Sequence, residues 1–396
     1  MLYFKNKLGW ILGVFLLASC NGINPVIRPP AGICKYVDQS PEYLGNLVKI
    51  CSIRYTKASL ACINHLTDHY SKNNMPPVIE RYIELWNENF DKLIRKSSVT
   101  FYQGEQPDKA QLLSKKINMS VTNKITREKF SLGNINYLLT PAGFSYDKGQ
   151  AYPNFANQYW GGGVLHGANV QEEIKMRQSN ALIWIAQANN ASQNYAEWCP
   201  AININNLNIN PVVMKLSIFI NFDNAEGYGS KLHGYDKEKQ KALMTPKDNA
   251  EHIYSYAMAA TSFSRGDFYK RSDLDEMFYV ATTAFYYTML AMDHDGKALE
   301  IHTGNWGAGA FNNSLKMGWA IQLFAIKAAY ELFKTKTQKE PGVKYFYDAN
   351  SAPSTKKLIE AYGQIRAHLK DDISADEYLE TLLNLASTDD SWQVQK

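Results

Sequence analysis

The sequence predicts an α/β protein whose sheet is covered by helices on both faces. Two observations carry this. Strand-length apolar runs alternate with helical patterns along the second half of the chain, the order that wraps helices around a sheet. Hydrophobic residues make up 45% of the 396 positions, enough for one large core or for one core with an elaboration. No internal repeat competes with this reading, and a formal net charge of +4 asks for no nucleic-acid partner.

The elements follow in order. Lys5 and Lys7 precede an apolar run from Leu8 to Leu17 that is too short to span a bilayer comfortably. Leu17-Ala-Ser-Cys20 resembles a bacterial lipobox, so residues 1–20 are expected to be an export signal with Cys20 lipidated; an ordinary cleaved signal or a plain apolar N-terminus are the alternatives. The expected location is therefore outside the cytoplasm, as a membrane lipoprotein or a secreted protein, with delivery into a host cell as one route. Residues 21–40, rich in Pro and Gly, read as a linker. Residues 41–135 are expected to be a helical accessory region. From about 42 to 97 the pattern is helical: Pro76-Pro77 suits a first turn, and Ile79, Ile83, Trp86, Phe90 and Leu93 form a core stripe. Residues 98–150 carry mixed signals.

Further on, Ala181–Ala186 reads as a strand and 189–211 as an Asn-rich surface loop. Met214, Leu216, Ile218, Ile220 and Phe222 alternate with Lys215, Ser217 and Asn221, the pattern of a half-buried strand. Asp223–Gly229 is a turn and His252–Ala260 a strand. Ser272 with Asp275 caps a helix through Met292; Leu299–His302 is a strand; Leu315–Phe333 is a helix; Lys344–Tyr347 is a strand. Ser354–Leu369 is helical, and Ser374 with Glu377 caps a last helix.

Beyond Cys20, the even set Cys34, Cys51, Cys62 and Cys199 suggests disulfides in an exported chain, with three pairings open. Cys62, His65 and His69 share one helix face, but no fourth ligand is evident, so no metal is expected.

The stretch from Asn154 to Ile174 carries the chemistry. A strand-like aromatic run ends at Trp160; Gly161, Gly162 and Gly163 follow, then Gly167; Val170-Gln-Glu-Glu-Ile174 reads as the first turn of a helix. Glycines let a ligand approach the main chain, and N–H groups before a helix N-terminus suit a phosphate or diphosphate. Glu172 and Glu173 would then lie beside the bound anion, an arrangement suited to acid–base work on a nucleotide-linked sugar. The plainer reading is a flexible turn, with Asn169 and Glu172 as a capping box and Glu173 as a solvated acid. No Gly-x-Ser-x-Gly elbow or P-loop lysine is present, and nothing calls for a cofactor or magnesium.

Phe155-Ala-Asn157, Gly161-Gly-Gly163 and Gln171-Glu-Glu173, in this order and at close spacing, resemble the signature of the poly(ADP-ribose) glycohydrolase family. Thr303-Gly-Asn-Trp-Gly-Ala-Gly-Ala-Phe311 resembles the family's second substrate-binding loop. The resemblance spans roughly residues 140–350. It implies a macrodomain-type three-layer α/β/α sandwich with a mixed sheet over 136–396, behind the N-terminal helical layer. It also implies cleavage of ADP-ribose glycosidic linkages, in poly(ADP-ribose) or in ADP-ribosylated protein; a non-catalytic ADP-ribose reader is the alternative.

The roles implied by that resemblance are these. Glu173 protonates the leaving oxygen and then activates water, Glu172 holds substrate hydroxyls, and Asn154, where the animal enzymes carry an acid, orients a ribose hydroxyl. Gly161, Gly162, Gly163 and Val164 wrap the distal ribose and diphosphate. Gly304, Asn305, Trp306, Gly307, Ala308, Gly309 and Ala310 close over the diphosphate, and Phe311 packs against the ribose. Asn157 and Gln171 make directional contacts. Tyr347 is either an adenine platform or a buried strand tyrosine, and Trp306 can equally be a core anchor.

Overall fold

The computed structural model describes the backbone of residues 42–44 and 48–54, and then residues 75–396 apart from 94–97, 157–162, 165–166, 183–210, 265, 310, 370 and 396. The expectations for Cys20 and the linker, the side chains of Cys34, Cys51, Cys62, His65, His69 and Cys199, and the loop at 189–210 lie outside the described residues.

Strands β1 (Glu42–Leu44) and β2 (Val48–Arg54) precede helix α1 (Pro77–Leu93) and β3 (Ser98–Gly104). Helix α2 (Lys109–Ser114) leads to β4 (Lys116–Ile117), β5 (Asn123–Lys124), β6 (Lys129–Leu132), β7 (Ile135–Thr140) and β8 (Ala151–Ala156). Helix α3 (Gln171–Gln178) comes next, then β9 (Val212–Phe222), the short α4 (Asn224–Gly227) and α5 (Lys237–Ala242), and the long β10 (Met244–Ala259). The chain continues through α6 (Arg271–His294), β11 (Leu299–Gly304), α7 (Leu315–Thr337), β12 (Val343–Asp348), α8 (Ala352–Ile365), β13 (Ile373–Ser374) and α9 (Ala375–Thr388).

Eleven strands form one mixed sheet in the order β1-β2-β3-β9-β10-β8-β11-β12-β7-β6-β5. Its centre is parallel: β10 with β8, β8 with β11, β11 with β12, β12 with β7. The flanks are antiparallel, β9 with β10 and β3 on one side and β6 with β7 on the other. Side chains leave a strand on alternate faces, and the core splits accordingly. From β10, Ile253 and Ala257 join Val78, Tyr82 and Trp86 of α1 and Ile174 of α3, while Tyr254, Tyr256 and Met258 join Phe278, Phe285 and Phe324 of α6 and α7. Helices thus cover both faces, and the sequence-based expectation of an α/β/α sandwich is realised.

Five local expectations need correction. The helical pattern holds for Pro77–Leu93, but residues 42–44 and 48–54 are strands that extend the sheet through β3. Strand β9 is buried on both faces along most of its length, not half-buried, because helices flank both sides of the sheet. Its alternating Ser217 is inside, donating or accepting with His252 Nδ1 at 3.0 Å. Asp223 does not open a plain turn: its carboxylate accepts from Ala225 and Glu226 N–H at 3.0 and 3.2 Å and caps one helical turn. Ala181 and Leu182 are helical, and 183–186 lies outside the described residues.

The long helix starts at Arg271, with Asp273 reaching back to the Lys270 N–H at 2.8 Å, so Ser272 is inside the helix and not its cap. The Ser374–Glu377 capping box is present as expected, Ser374 N–H donating to Glu377 at 2.9 Å and Glu377 N–H to Ser374 Oγ at 3.2 Å.

Candidate active site

The chain passes from β8 to the β9–β10 side of the sheet and returns through α6 to β11, on the other side of β8. Such a reversal opens a crevice at the carboxyl ends of the parallel strands, the usual ligand position in open α/β sheets. Both motifs emerge there: the glycine stretch follows Ala156 at the end of β8, and the second loop follows Gly304 at the end of β11. Phe144 joins them. Its ring lies 6.2 Å from that of Phe155, and a Cβ added to Gly304 would stand 3.2 Å from its Cζ.

On the β8 side, both glutamates are buried, at 3% and 5% exposure. Glu172 Oε1 accepts from Asn154 Nδ2 at 2.9 Å. Glu173 Oε1 accepts from the Gly163 N–H at 3.1 Å and its Oε2 from the Val170 N–H at 3.0 Å. The reach back to the helix start is therefore made by Glu173 and not by Glu172. Asn169 is no cap: its amide is drawn to the Gly227 carbonyl, and its Oδ1 to Arg177. The solvated reading of Glu173 fails, since its carboxylate ties the glycine stretch to the N-terminus of α3. A Cβ at Gly163 would come within 2.6 Å of Ala168 Cβ, so the close approach requires glycine.

Gln171 acts as an extension of the sheet. Its Oε1 accepts from the Phe155 N–H at 3.1 Å, and its Nε2 donates to the Pro153 carbonyl at 2.8 Å and to the Tyr146 hydroxyl at 3.3 Å. The Val164 side chain is in the core, leaving only its main chain to face a ligand. Asn154 Oδ1 is buried and has no hydrogen-bond partner, an acceptor available to a hydroxyl. Asn157, Gly161, Gly162 and Ala310 lie outside the described residues.

On the β11 side, the loop is held from several directions. Gln322 donates to the Gly304 carbonyl at 3.1 Å, Asn305 Nδ2 donates to the Ala349 carbonyl at 3.0 Å, and Asn313 Nδ2 to the Thr261 carbonyl at 2.7 Å. Gly307 has φ +69°, and a Cβ there would meet Asn313 at 2.5 Å. The Phe311 carbonyl accepts from Phe263 N–H at 3.1 Å. Trp306 and Tyr347 are each 1% exposed, so both are core side chains. Gly309 faces open space and Ala308 is half-buried. Beneath the loop, His302 is stacked between Tyr152 and Phe346, at 4.5 and 4.4 Å, and its Nδ1 is 2.7 Å from Asp348.

Several residues that serve this site were not singled out from the sequence. Arg177 Nη1 donates to the Ala168 carbonyl at 2.7 Å, pinning the turn before α3. Tyr228 stands beside α3, its hydroxyl near the Gln171 backbone; burial of that hydroxyl and the Glu173 charge push its pKa up. Gln395 N–H donates to the Asn312 carbonyl at 2.8 Å, and its side chain to the carbonyls of Ala308 and Asn313, both at 2.8 Å. None of these has a spacing signal, because each partner is distant in sequence.

Compared with known families, residues 205–340 match the model of poly(ADP-ribose) glycohydrolase, macro domain fold. The match is about a third of the chain; it includes the β11 loop and leaves the glycine stretch outside. Among solved structures, the chain is similar to the poly(ADP-ribose) glycohydrolase of Thermomonospora curvata bound to the inhibitor ADP-HPD: 15% identity, 78% of this chain and 99% of that one covered, TM-score 0.35. It is also similar to the poly(ADP-ribose) glycohydrolase of Deinococcus radiodurans in complex with ADP-ribose: 14% identity, 58% and 83% covered, TM-score 0.31. A comparison with curated proteins finds no match. Over residues 205–340, therefore, the chain is similar to poly(ADP-ribose) glycohydrolase, macro domain fold.

Proposed function

We propose that this chain hydrolyses the O-glycosidic linkages of ADP-ribose, in the polymer or between ADP-ribose and protein. The observation that supports it best is the pair of adjacent buried carboxylates at the N-terminus of α3, Glu172 held by Asn154 and Glu173 held by the Gly163 and Val170 N–H groups. A site for binding alone needs the glycines and the helix N-terminus; it does not need two buried acids beside them.

In this reading the diphosphate lies against the glycine stretch and the β11 loop, where main-chain N–H groups and the α3 dipole favour negative charge. Glu173, entering the reaction protonated, gives its proton to the leaving oxygen as the anomeric C–O bond breaks. The ribose then has oxocarbenium character, and ionised carboxylate nearby stabilises it. Glu173 next takes a proton from the incoming water, whose oxygen bonds to the anomeric carbon. Glu172 and the free Oδ1 of Asn154 hold ribose hydroxyls. Donation requires Glu173 to release at least one of its two main-chain contacts, which substrate entry would displace.

The test is release of free ADP-ribose by residues 21–396 from poly(ADP-ribose) and from mono-ADP-ribosylated protein. Glu173→Gln should lose at least about 10²-fold in turnover, the lower end for a general acid, while ADP-ribose still binds. Binding without release by the wild type would make the chain a reader. All the named site residues lie within 136–396, the proposed glycohydrolase region, with 41–135 as accessory.

We also propose that the chain is exported and anchored through lipid on Cys20, on the strength of Leu17-Ala-Ser-Cys20. Labelling by a fatty-acid analogue that persists in Cys20→Ala would remove this claim.

A further inference from the structure

Lys175 is a buried titratable group without a task in the scheme above. It follows Glu172 by three positions on α3, so the two side chains share one helix face. It is fully buried. Its Nζ donates to the Pro153 carbonyl, which also receives Gln171 Nε2 at 2.8 Å. The residue after that carbonyl is Asn154, whose amide donates to Glu172 at 2.9 Å. Amine, carbonyl, strand end, amide and carboxylate therefore form one continuous chain of contacts. Burial pushes the Lys175 ammonium well below the ordinary lysine value, and the Glu172 carboxylate pushes it back up. The carboxylate thus favours the charged form of the amine against its burial.

We propose that Lys175 is a positioning residue for the reaction: it fixes Glu172 as the carboxylate that grips substrate hydroxyls, and so leaves Glu173 as the carboxyl that exchanges its proton. The inference rests on the glycohydrolase reading and adds to it the residue that holds the two glutamates to their parts. Lys175 touches no substrate. It acts through Glu172, by way of the Pro153 carbonyl that it holds and the Asn154 amide that donates to Glu172.

The experiment is a double-mutant cycle on residues 21–396, using Lys175→Met, Glu172→Gln and both together. Initial rates are measured on poly(ADP-ribose), and melting temperature on the same preparations. Lys175→Met keeps most of the side chain's length and removes its amine. It should lower kcat about tenfold or more in the wild-type background, with KM changed far less, and should cost nothing further once Glu172→Gln is present. The melting temperature supplies a second readout. Glu172→Gln leaves a buried amine without its carboxylate and should melt lower than the wild type; adding Lys175→Met should raise it again.

Equal losses from Lys175→Met in both backgrounds would overturn the proposal, as would a kcat that Lys175→Met leaves unchanged. If Lys175→Met alone does not fold, the double variant decides: melting below Glu172→Gln sinks the proposal, and melting above it supports the pair. A wild type that releases no ADP-ribose would instead remove the glycohydrolase reading, and this division of labour with it.

Discussion

The two loops that meet at the carboxyl ends of β8 and β11 are built on different principles. The β8 side is held by side-chain carboxylates reaching for main-chain N–H groups: Glu173 to Gly163 and Val170, Glu172 to Asn154. The β11 side is held by side-chain amides reaching for main-chain carbonyls: Gln322 to Gly304, Asn305 to Ala349, Asn313 to Thr261, Gln395 to Ala308 and Asn313. Carboxyl oxygens face donors on one side, and neutral donors face acceptors on the other. The first loop therefore concentrates acid–base capacity, while the second is a braced wall in which the Trp306 and Ala308 N–H groups already donate to the Gly304 and Asn305 carbonyls, at 2.7 and 3.2 Å. In the proposed reading chemistry and grip fall to different loops, and substitutions should separate them.

The largest expected effect falls on the β8 side. Gly163→Val forces its side chain against Ala168 and displaces the donor to Glu173. Turnover should fall about 10²-fold, as for a misplacement of about 1 Å at a reacting group. The matching change on the β11 side, Gly304→Val, drives a Cβ to 2.8 Å from the Asp348 carbonyl. It should weaken ADP-ribose binding more than it slows the chemical step. Calorimetric titration and single-turnover rates on both variants check this; the reverse pattern would erase the separation. Gly309→Ala, in open space on the same loop, is the control and should melt and bind like the wild type.

A smaller effect tests whether the opposite end of the sheet is independent of both loops. There Asp295, at the end of α6, accepts from Lys215 at 2.6 Å, Tyr102 at 3.0 Å and Tyr254 at 2.5 Å. These partners outweigh its burial and hold its carboxyl down at about 2. Since the folded value lies below the unfolded one, the stabilisation is complete above about pH 4 and is lost as pH falls toward 2. Asp295→Asn should cost about 1–2 kcal/mol at neutral pH, with solvent screening included, and the gap from the wild type should close in acid. Chemical denaturation at pH 7 and pH 3 measures it. ADP-ribose affinity should stay unchanged, and a loss there would show that the two ends are coupled.

The smallest effect concerns Gln395. Removing its side chain by Gln395→Ala frees the carbonyls of Ala308 and Asn313 but leaves the Asn312 contact with its N–H. The net loss should be about 1 kcal/mol, read as roughly fivefold weaker ADP-ribose binding with little change in melting temperature. Unchanged affinity would mean that the wall stands without this brace.

Much of the fold could be read in advance because the relevant signals are local. The Ser374–Glu377 box, the strand–loop passage from Leu299 into Thr303–Phe311 and the helix from Leu315 follow from caps and periodicity within a few residues. The strands at Glu42–Leu44 and Val48–Arg54 could not be read so simply, because such short outer strands take their identity from the neighbours they pair with. Of the site, the glycines and the two glutamates were visible as residue types in a suggestive order. The partner that each glutamate takes was not.

The sequence by itself determined the alternation of strands and helices and the sites of glycine and acid, since backbone preference and periodicity act over a few positions. Only the tertiary structure decided that Glu173, and not Glu172, ties the helix start to the glycine stretch, that Asn169 turns away to Gly227 and Arg177, and that Trp306 and Tyr347 belong to the core. It also decided that Lys175, an ordinary helical lysine in the sequence, lies fully buried beside Glu172. Hydrogen-bond partners and burial are set by which segments the sheet brings together, and β8, β10, β11 and β12 meet only once the chain has crossed the sheet in both directions.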